Sequence, residues 1–202
     1  MIYFLNMAVL SFFMFGLFVI TYYYLVKKIK IQILWGLIAL SVMMCVIIVS
    51  MIVFCSKYGL NSLSIGYVFL IYILFIVMIH DLIDQSIPLK WLAFGGVMGS
   101  YMLIYNPNIS LLEGVVGSII TGILLLLLSK ITRGGIGIGD VFVFVLISLI
   151  AGWKMSMTVL IFALVLCGCI GIVLFAFKKA KRKTTIPFMP FIFAMTIFVL
   201  WL

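Results

Sequence analysis

Charge is what this sequence has least of. Only 8% of its 202 residues are charged and 68% are hydrophobic, whereas about 25% of the residues in a soluble domain are charged. A soluble globule is therefore excluded, because there are too few polar side chains to cover its surface. In hydrocarbon every backbone polar group must be paired, so spanning segments are helices or closed barrels. The apolar runs lack the alternation of barrel strands, which predicts an all-α, polytopic transmembrane helical bundle.

Metal-binding motifs are also absent. The sequence has a single histidine, His80, and one histidine cannot build a zinc site. No two cysteines are spaced as a CxxC pair, and all four lie in or at the end of apolar segments: Cys45, Cys55, Cys167 and Cys169. We therefore expect no metal, no cofactor and no disulfide framework.

Eight apolar runs approach the roughly 20 residues that a spanning helix needs. They cover residues 2–26, 33–54, 63–80, 91–105, 111–128, 141–153, 155–177 and 187–202. The fourth and sixth are short, but short helices can cross where the bilayer thins. We predict about eight spans in a single integral membrane domain over residues 1–202. Gly95 and Gly99 form a GxxxG pattern, which predicts a close helix contact.

The basic residues set the predicted orientation. A net charge of +9 could suggest nucleic acid, but the lysines and arginines form short clusters between apolar runs, as topology determinants do. With both termini outside, only Lys57 and Lys154 face outward and every other basic residue lies inside. This bias predicts a multi-pass protein of the cytoplasmic membrane, whose partner is the lipid bilayer and not nucleic acid. The first apolar run is expected to be a retained helix.

Acidic residues are rarer still. The four are Asp81, Asp84, Glu113 and Asp140. A carboxylate in a spanning helix costs roughly 2.5–3.5 kcal/mol on insertion scales, so each one needs a reason. Glu113 falls near a predicted helix start, where the positive end of the helix favours an anion. Asp84 is expected to be a solvated loop residue.

Asp81 and Asp140 stand out because the predicted topology brings them to one membrane depth. Asp81 ends one predicted helix at the cytosolic side, and Asp140 begins another at the same side, after the glycine-rich turn at 134–139. The glycines are expected to adopt positive φ and to let a substrate strand pass close by. Taken alone, Asp140 could equally be a structural N-cap.

Two neighbouring carboxylates support a defined chemistry. They share one proton, so that one acts as a base on water and the other as an acid toward a carbonyl. This hydrolyses a peptide bond without metal or cofactor. The helix N-terminus favours an ionised Asp140, which leaves Asp81 to carry the proton.

Three segments of the sequence resemble motifs of the type IV prepilin peptidases. Residues 81–88 begin with Asp81 and end with Ile87 and Pro88, as the first aspartate motif of that family does. Residues 137–141 are similar to its GxGD motif, which carries the second aspartate. Residues 186–191 are similar to the Pro-Phe-x-Pro-Phe stretch at the start of its last helix. The resemblance covers roughly residues 67–202, where we place the catalytic elements.

This resemblance implies a GxGD membrane aspartic endopeptidase. Such enzymes remove the leader peptide of type IV prepilins or pseudopilins at the cytosolic membrane face. Asp81 and Asp140 are the implied catalytic pair. The implied active-site loop and substrate-binding residues are Gly137, Gly139, Ile87, Pro88, Pro187 and Pro190. No metal or cofactor is implied, and the sequence sets no oligomeric state.

Two departures from the family pattern bear on function. Many members carry a large cytosolic loop with paired CxxC motifs after the first helix, whereas here only residues 27–32 separate the first two runs. Methylation of the product is therefore not expected. Many members also have a lysine two residues after the GxGD aspartate, where this sequence has Phe142.

Two alternatives remain open. The first is a small proton-coupled transporter or a membrane assembly factor with buried acidic residues, which would account for the aspartates but not for the glycines and the Ile-Pro pair. The second is a related peptidase that cuts within the membrane, nearer the presenilin type. The placement of both aspartates at helix ends argues against it.

Overall fold

The computed structural model describes residues 33–59, 61–104, 109–132, 136–177 and 187–202. These residues form seven helices: α1 (Ile33–Tyr58), α2 (Ser62–Asp84), α3 (Leu89–Ile104), α4 (Leu111–Ile131), α5 (Ile138–Ala151), α6 (Trp153–Ala176) and α7 (Met189–Trp201). The predicted all-α class is confirmed for this part of the chain. Seven of the eight predicted apolar runs coincide with a helix to within four residues at either end. The predicted run at 2–26 lies outside the described residues.

Four of these helices, α1, α2, α4 and α6, are long and apolar enough to cross a membrane. Helices α5 and α7 are apolar but shorter, at 14 and 13 residues, and α3 has 16. The chain is therefore a membrane protein, whereas the full count of eight spans stays a prediction.

The chain divides into two compact units, Met1–Ile48 and Val49–Leu202. Of the first unit the structure describes residues 33–48, which form the N-terminal part of α1. The second unit holds the rest of α1 and the six helices that follow. It contains all of the candidate site residues.

Helix α2 is the centre of the second unit. Of its most apolar stretch 89% is buried, compared with 17–28% for the other three long helices. It packs against α3, α5 and α7. At its start, the side chain of Asn61 accepts a hydrogen bond from the Ser64 backbone N–H at 3.2 Å, which satisfies a donor that the helix leaves open. The burial of α2 fixes the residues at its other end, where Asp81 lies.

Helix α5 is held between α3, α4 and α6. The Ser156 hydroxyl of α6 donates to the Phe144 carbonyl at 2.9 Å, and the Thr121 hydroxyl of α4 lies 3.3 Å from that of Ser148. A Cβ atom on Gly95 would lie 2.9 Å from a side-chain carbon of Leu146. The predicted close contact at the GxxxG pattern is thus confirmed, and its partner is α5.

Candidate active site

Asp81 lies in the last turn of α2, and two helices hold it. The backbone N–H of Gln85 donates to the Asp81 carbonyl and ends the helix in the left-handed conformation, with φ 48° and ψ 36°. The Asp81 side chain is buried. Its Oδ2 accepts a hydrogen bond of 3.0 Å from the backbone N–H of Met189, the first residue of α7. A helix N-terminus supplies such open N–H groups, so α7 fixes the carboxylate of α2.

Asp140 is the third residue of α5 and not its N-cap, so the sequence-based placement is wrong by three positions. The N-cap is Gly137, which has no side chain to cap the helix. Instead the Asp140 Oδ2 accepts a hydrogen bond of 3.2 Å from the Gly137 backbone N–H. This is the half of a capping box in which the acidic residue reaches back to the N-cap.

The glycines of the GxGD motif serve a different purpose from the one expected. Gly137 has φ −67°, and the only glycines with positive φ among the described residues are Gly59 and Gly152. The expectation of positive φ is therefore wrong for Gly137 and Gly139. What they provide is space. A Cβ on Gly139 would lie 2.7 Å from the Cδ1 of Ile87, and one on Gly137 would lie 3.1 Å from the Asp140 Oδ2. Gly134 and Gly135 lie outside the described residues.

The two aspartates line one cavity of about 460 Å³, which we call the cleft. Four other predicted site residues line it with them: Ile87, Gly137, Gly139 and Pro187. Residues from four separated segments, at the ends of α2, α3, α5 and α7, thus meet in one place.

Two predicted site residues do not line the cleft, and both begin helices. The Pro88 carbonyl accepts from the Trp91 backbone N–H at 3.0 Å, at the start of α3. Pro190 lies in the first turn of α7, where proline is well tolerated because its missing N–H has no partner there. These prolines set where the two helices begin.

Five lining residues were missed from the sequence: Gln85, Leu89, Ile138, Phe142 and Phe188. Leu89 and Phe188 each directly follow a proline of the motifs. Their position beside Pro88 and Pro187 could therefore have identified them as residues that line the cleft. No sequence signal marks the left-handed conformation of Gln85, because glycine and asparagine are the residues that usually end a helix in this way.

Asp84 has a largely exposed side chain, as expected, but it is the last residue of α2 and not a loop residue. Its Oδ2 lies 3.7 Å from the Nδ1 of His80, one helical turn earlier, and the histidine is itself buried. Asp84 does not line the cleft. The ion-pair partner of Asp84 among the described residues therefore belongs to α2 itself.

The pKa of Asp140 is shifted in the direction opposite to the one that its position at a helix N-terminus predicts. The residue lies outside the four helices long enough to span a membrane. Burial raises the pKa of Asp140 to about 6, the hydrogen bond from Gly137 opposes that shift, and the negative charge of Asp81 adds to it. The helix N-terminus alone would have moved the pKa down, but desolvation of the charged form outweighs it. Which aspartate is acid and which is base stays a prediction.

The arrangement suits carboxylate chemistry. Among the described residues, no group of three or more His, Cys, Asp or Glu side chains is placed to hold a metal ion. Two carboxylates that face one cleft can activate a water molecule and protonate a carbonyl oxygen or a leaving amine.

A sequence model of the type IV leader peptidase family matches residues 68–172. This is just over half of the chain, and it includes both aspartates and the Ile87, Gly137 and Gly139 positions of the cleft. The match ends before α7. No curated protein and no solved structure matches the chain. With its aspartate motifs inside the matched segment, the chain belongs to the type IV leader peptidase family and is a membrane peptidase.

Proposed function

We propose that this protein is an aspartic endopeptidase that removes the leader peptide of type IV prepilins or pseudopilins at the cytosolic membrane face. One observation carries the proposal. Asp81 and Asp140 come from separate helices, yet they line the same cleft. A structural role for either residue alone gives no reason for the two to share a cavity.

The hydrogen bonds of the cleft suggest how the pair works. In each aspartate one oxygen is held by a backbone N–H, from Met189 in one case and from Gly137 in the other. We propose that the second oxygen of each carboxylate faces the water and the substrate. The ionised aspartate takes a proton from water as the water attacks the scissile carbonyl. The protonated aspartate donates to the carbonyl oxygen, and a proton then passes to the leaving amine.

The glycines and Ile87 complete the proposed site. Gly139 and Ile87 are in close contact, so the segment before α3 and the first turn of α5 fix each other. Pro187 brings the start of α7 to the same place. We propose that these residues form the substrate-binding loops, while Pro88 and Pro190 act by starting α3 and α7.

The cytosolic location is supported by which helix ends meet. The cleft gathers the C-terminal end of α2 and the N-terminal ends of α3, α5 and α7, all of which the distribution of basic residues places inside. At the end of α1, the Lys57 ammonium donates to the Trp201 carbonyl at the end of α7. The same rule places both of these ends outside.

Three asparagine substitutions test the proposal. Asparagine keeps the shape of aspartate but can neither take nor release the proton. We expect Asp81→Asn and Asp140→Asn each to lower kcat/KM for leader removal by at least about 100-fold, the lower end of what acid–base groups contribute. Asp84→Asn is the matched control, because Asp84 is also in the last turn of α2 but does not line the cleft.

The measurement is cleavage of a prepilin by purified protein in detergent, with a chelator and without a methyl donor. Near-native rates in either Asp81→Asn or Asp140→Asn would contradict the shared-proton pair. If the native protein cleaves no leader under any condition, the transporter alternative gains instead.

A further inference from the structure

A second cavity, of about 320 Å³, lies beside the cleft between α3 and α5, and we call it the apolar groove. Helix α3 lines it with Leu89, Leu92, Ala93 and Gly96. Helix α5 lines it with Phe142, Val145, Leu146 and Leu149. Each set has the spacing i, i+3, i+4, i+7 of one helix face. At about 1.5 Å per residue, the groove follows each helix for about 10 Å.

The groove starts at the cleft. Leu89 and Phe142 line both cavities; Leu89 is the first residue of α3 and Phe142 is the fifth of α5. Further along, a Cβ on Gly95 would meet Leu146 and one on Gly99 would meet Ile150, each at 2.9 Å. Gly95 and Gly99 are four residues apart in α3, and their contacts Leu146 and Ile150 are four residues apart in the same order in α5. The two helices therefore run parallel. The groove therefore runs between α3 and α5, away from the two carboxylates.

The lining of the groove selects its occupant. Leu92 and Leu146 are buried and form its floor, while Leu89 and Phe142 at its mouth are 59% and 47% exposed. Every lining residue is apolar or glycine, so no side chain can pair with the backbone of a bound chain. In such surroundings a peptide must satisfy its own backbone groups, which it does as a helix. An apolar helix laid between two helices is a common mode of recognition.

We propose that the apolar groove binds a helical apolar segment of the substrate next to the scissile bond. This inference rests on the proposed peptidase function. Continuity with the cleft favours the substrate over a lipid, because a chain held at Asp81 and Asp140 that enters the bilayer passes Leu89 and Phe142. Phe142 then contacts the substrate where the cleft becomes the groove, which makes it a specificity-determining residue.

Gly96 allows a matched test. A Cβ at this position meets nothing within 4 Å, and the same is true of Gly168 on α6. Leucine at Gly96 therefore fills the groove without a clash at its Cβ, whereas leucine at Gly168 adds the same bulk away from it. Both changes replace glycine within a helix, so they gain similar helix propensity.

The kinetic experiment compares two substrates in detergent micelles. One has the leader followed by an apolar segment of about 20 residues, and the other stops a few residues after the scissile bond. We expect Gly96→Leu to reduce the ratio of kcat/KM for the long substrate to that for the short one by about tenfold, as lost apolar burial predicts. Gly168→Leu should leave the ratio unchanged. An unchanged ratio in Gly96→Leu, or an equal drop in Gly168→Leu, would overturn the proposal.

A crosslinking experiment decides the matter if the short substrate is cleaved too slowly to measure. A diazirine amino acid replaces Ala93 in the groove or, as a control, Ile172 on α6, in full-length protein that carries Asp140→Asn. Illumination with the long substrate should give a peptide adduct at position 93 and none at 172. Adducts with lipid alone at position 93 would show a lipid-filled groove and overturn the proposal. The proposed function is tested separately, by whether Asp140→Asn abolishes cleavage of the long substrate.

Discussion

At the scale of single residues, Gly139 shows most sharply why the GxGD motif needs glycine. Alanine in a helix is normally favoured over glycine by about 1 kcal/mol, and Gly139 lies within α5. Its Cβ, however, would lie 2.8 Å from the Cβ of Ile87, an atom that no change of rotamer can move. The clash therefore has to be relieved by a shift of backbone at the cleft.

We expect Gly139→Ala to destabilise the protein by about 1–3 kcal/mol, as overpacking does, and to lower kcat/KM for leader removal. Gly168→Ala, where the added Cβ meets nothing within 4 Å, should be neutral or stabilising. Thermal unfolding in detergent and the cleavage assay measure the two effects. Equal behaviour of the two variants would show that the contact between Gly139 and Ile87 is not tight in solution.

The raised pKa of Asp140 gives a prediction for pH dependence. A base must be deprotonated to work, so activity should fall as the pH drops through the pKa of about 6. We expect kcat/KM to lose about tenfold per pH unit well below that value. Because the titrations of the two aspartates are coupled, the pKa read from the acidic side of the pH–rate profile belongs to the pair and not to one residue.

The measurement is a pH–rate profile from about pH 4 to 9 at constant ionic strength, on protein shown to remain folded throughout. An acidic limb centred near 4 would mean that Asp140 is more hydrated than its buried position indicates. A flat profile would argue against a carboxylate pair altogether.

At the scale of elements, one side-chain hydrogen bond positions the start of α5. The Ser129 hydroxyl of α4 donates to the Ile136 carbonyl at 2.6 Å, and the serine is buried. The next residue, Gly137, holds the Asp140 carboxylate through its N–H. Helix α4 thus fixes the residues that precede α5 and hold the Asp140 carboxylate.

We expect Ser129→Ala to cost about 1–3 kcal/mol, because it leaves a buried carbonyl without its partner, and to reduce cleavage more than binding. Ser118→Ala is the matched control: Ser118 is also buried in α4, but its hydroxyl donates to the Val115 carbonyl within the same helix. If both variants lose the same activity, the bond to Ile136 has no special part in the site.

The elements also show what the sequence could predict. Long apolar runs determine helices well, since length and composition suffice, and the two aspartate motifs identified the residues that meet in the cleft. Cap positions were harder to predict. The start of α5 depends on how Gly137 and Asp140 pair, and the end of α2 at Gln85 depends on a left-handed residue that no local pattern marks. The bond from Met189 to Asp81 is a tertiary contact, which hydrophobic periodicity does not encode.

At the scale of the whole molecule, the side of the membrane that the cleft faces depends on whether the short helices cross the bilayer. Helix α7 has 13 residues, fewer than the roughly 20 of an ordinary span. If it crosses, the basic segment at 178–183 and the residue Leu202 lie on opposite sides of the membrane. The distribution of lysine and arginine predicts that the basic segment is inside.

Two epitope tags test this topology, one inserted in the basic segment and one attached after Leu202. In intact cells only the second should be accessible to external protease, and in inverted vesicles only the first. Accessibility of both tags from one side would show that α7 does not cross, and the cytosolic placement of the cleft would need revision. Retained leader cleavage in the tagged protein is the control for folding.

The bond between Asp81 and Met189 also has a consequence for biosynthesis. Its two residues are 108 positions apart, and the ribosome adds about 5–20 residues per second, so Asp81 is made several seconds before its hydrogen-bond donor. During that interval the nascent chain holds Asp81 without the helix that orients its carboxylate. Under the proposed mechanism, a ribosome-bound intermediate would thus be unable to cut neighbouring membrane proteins, and the protein would become active only after α7 has docked.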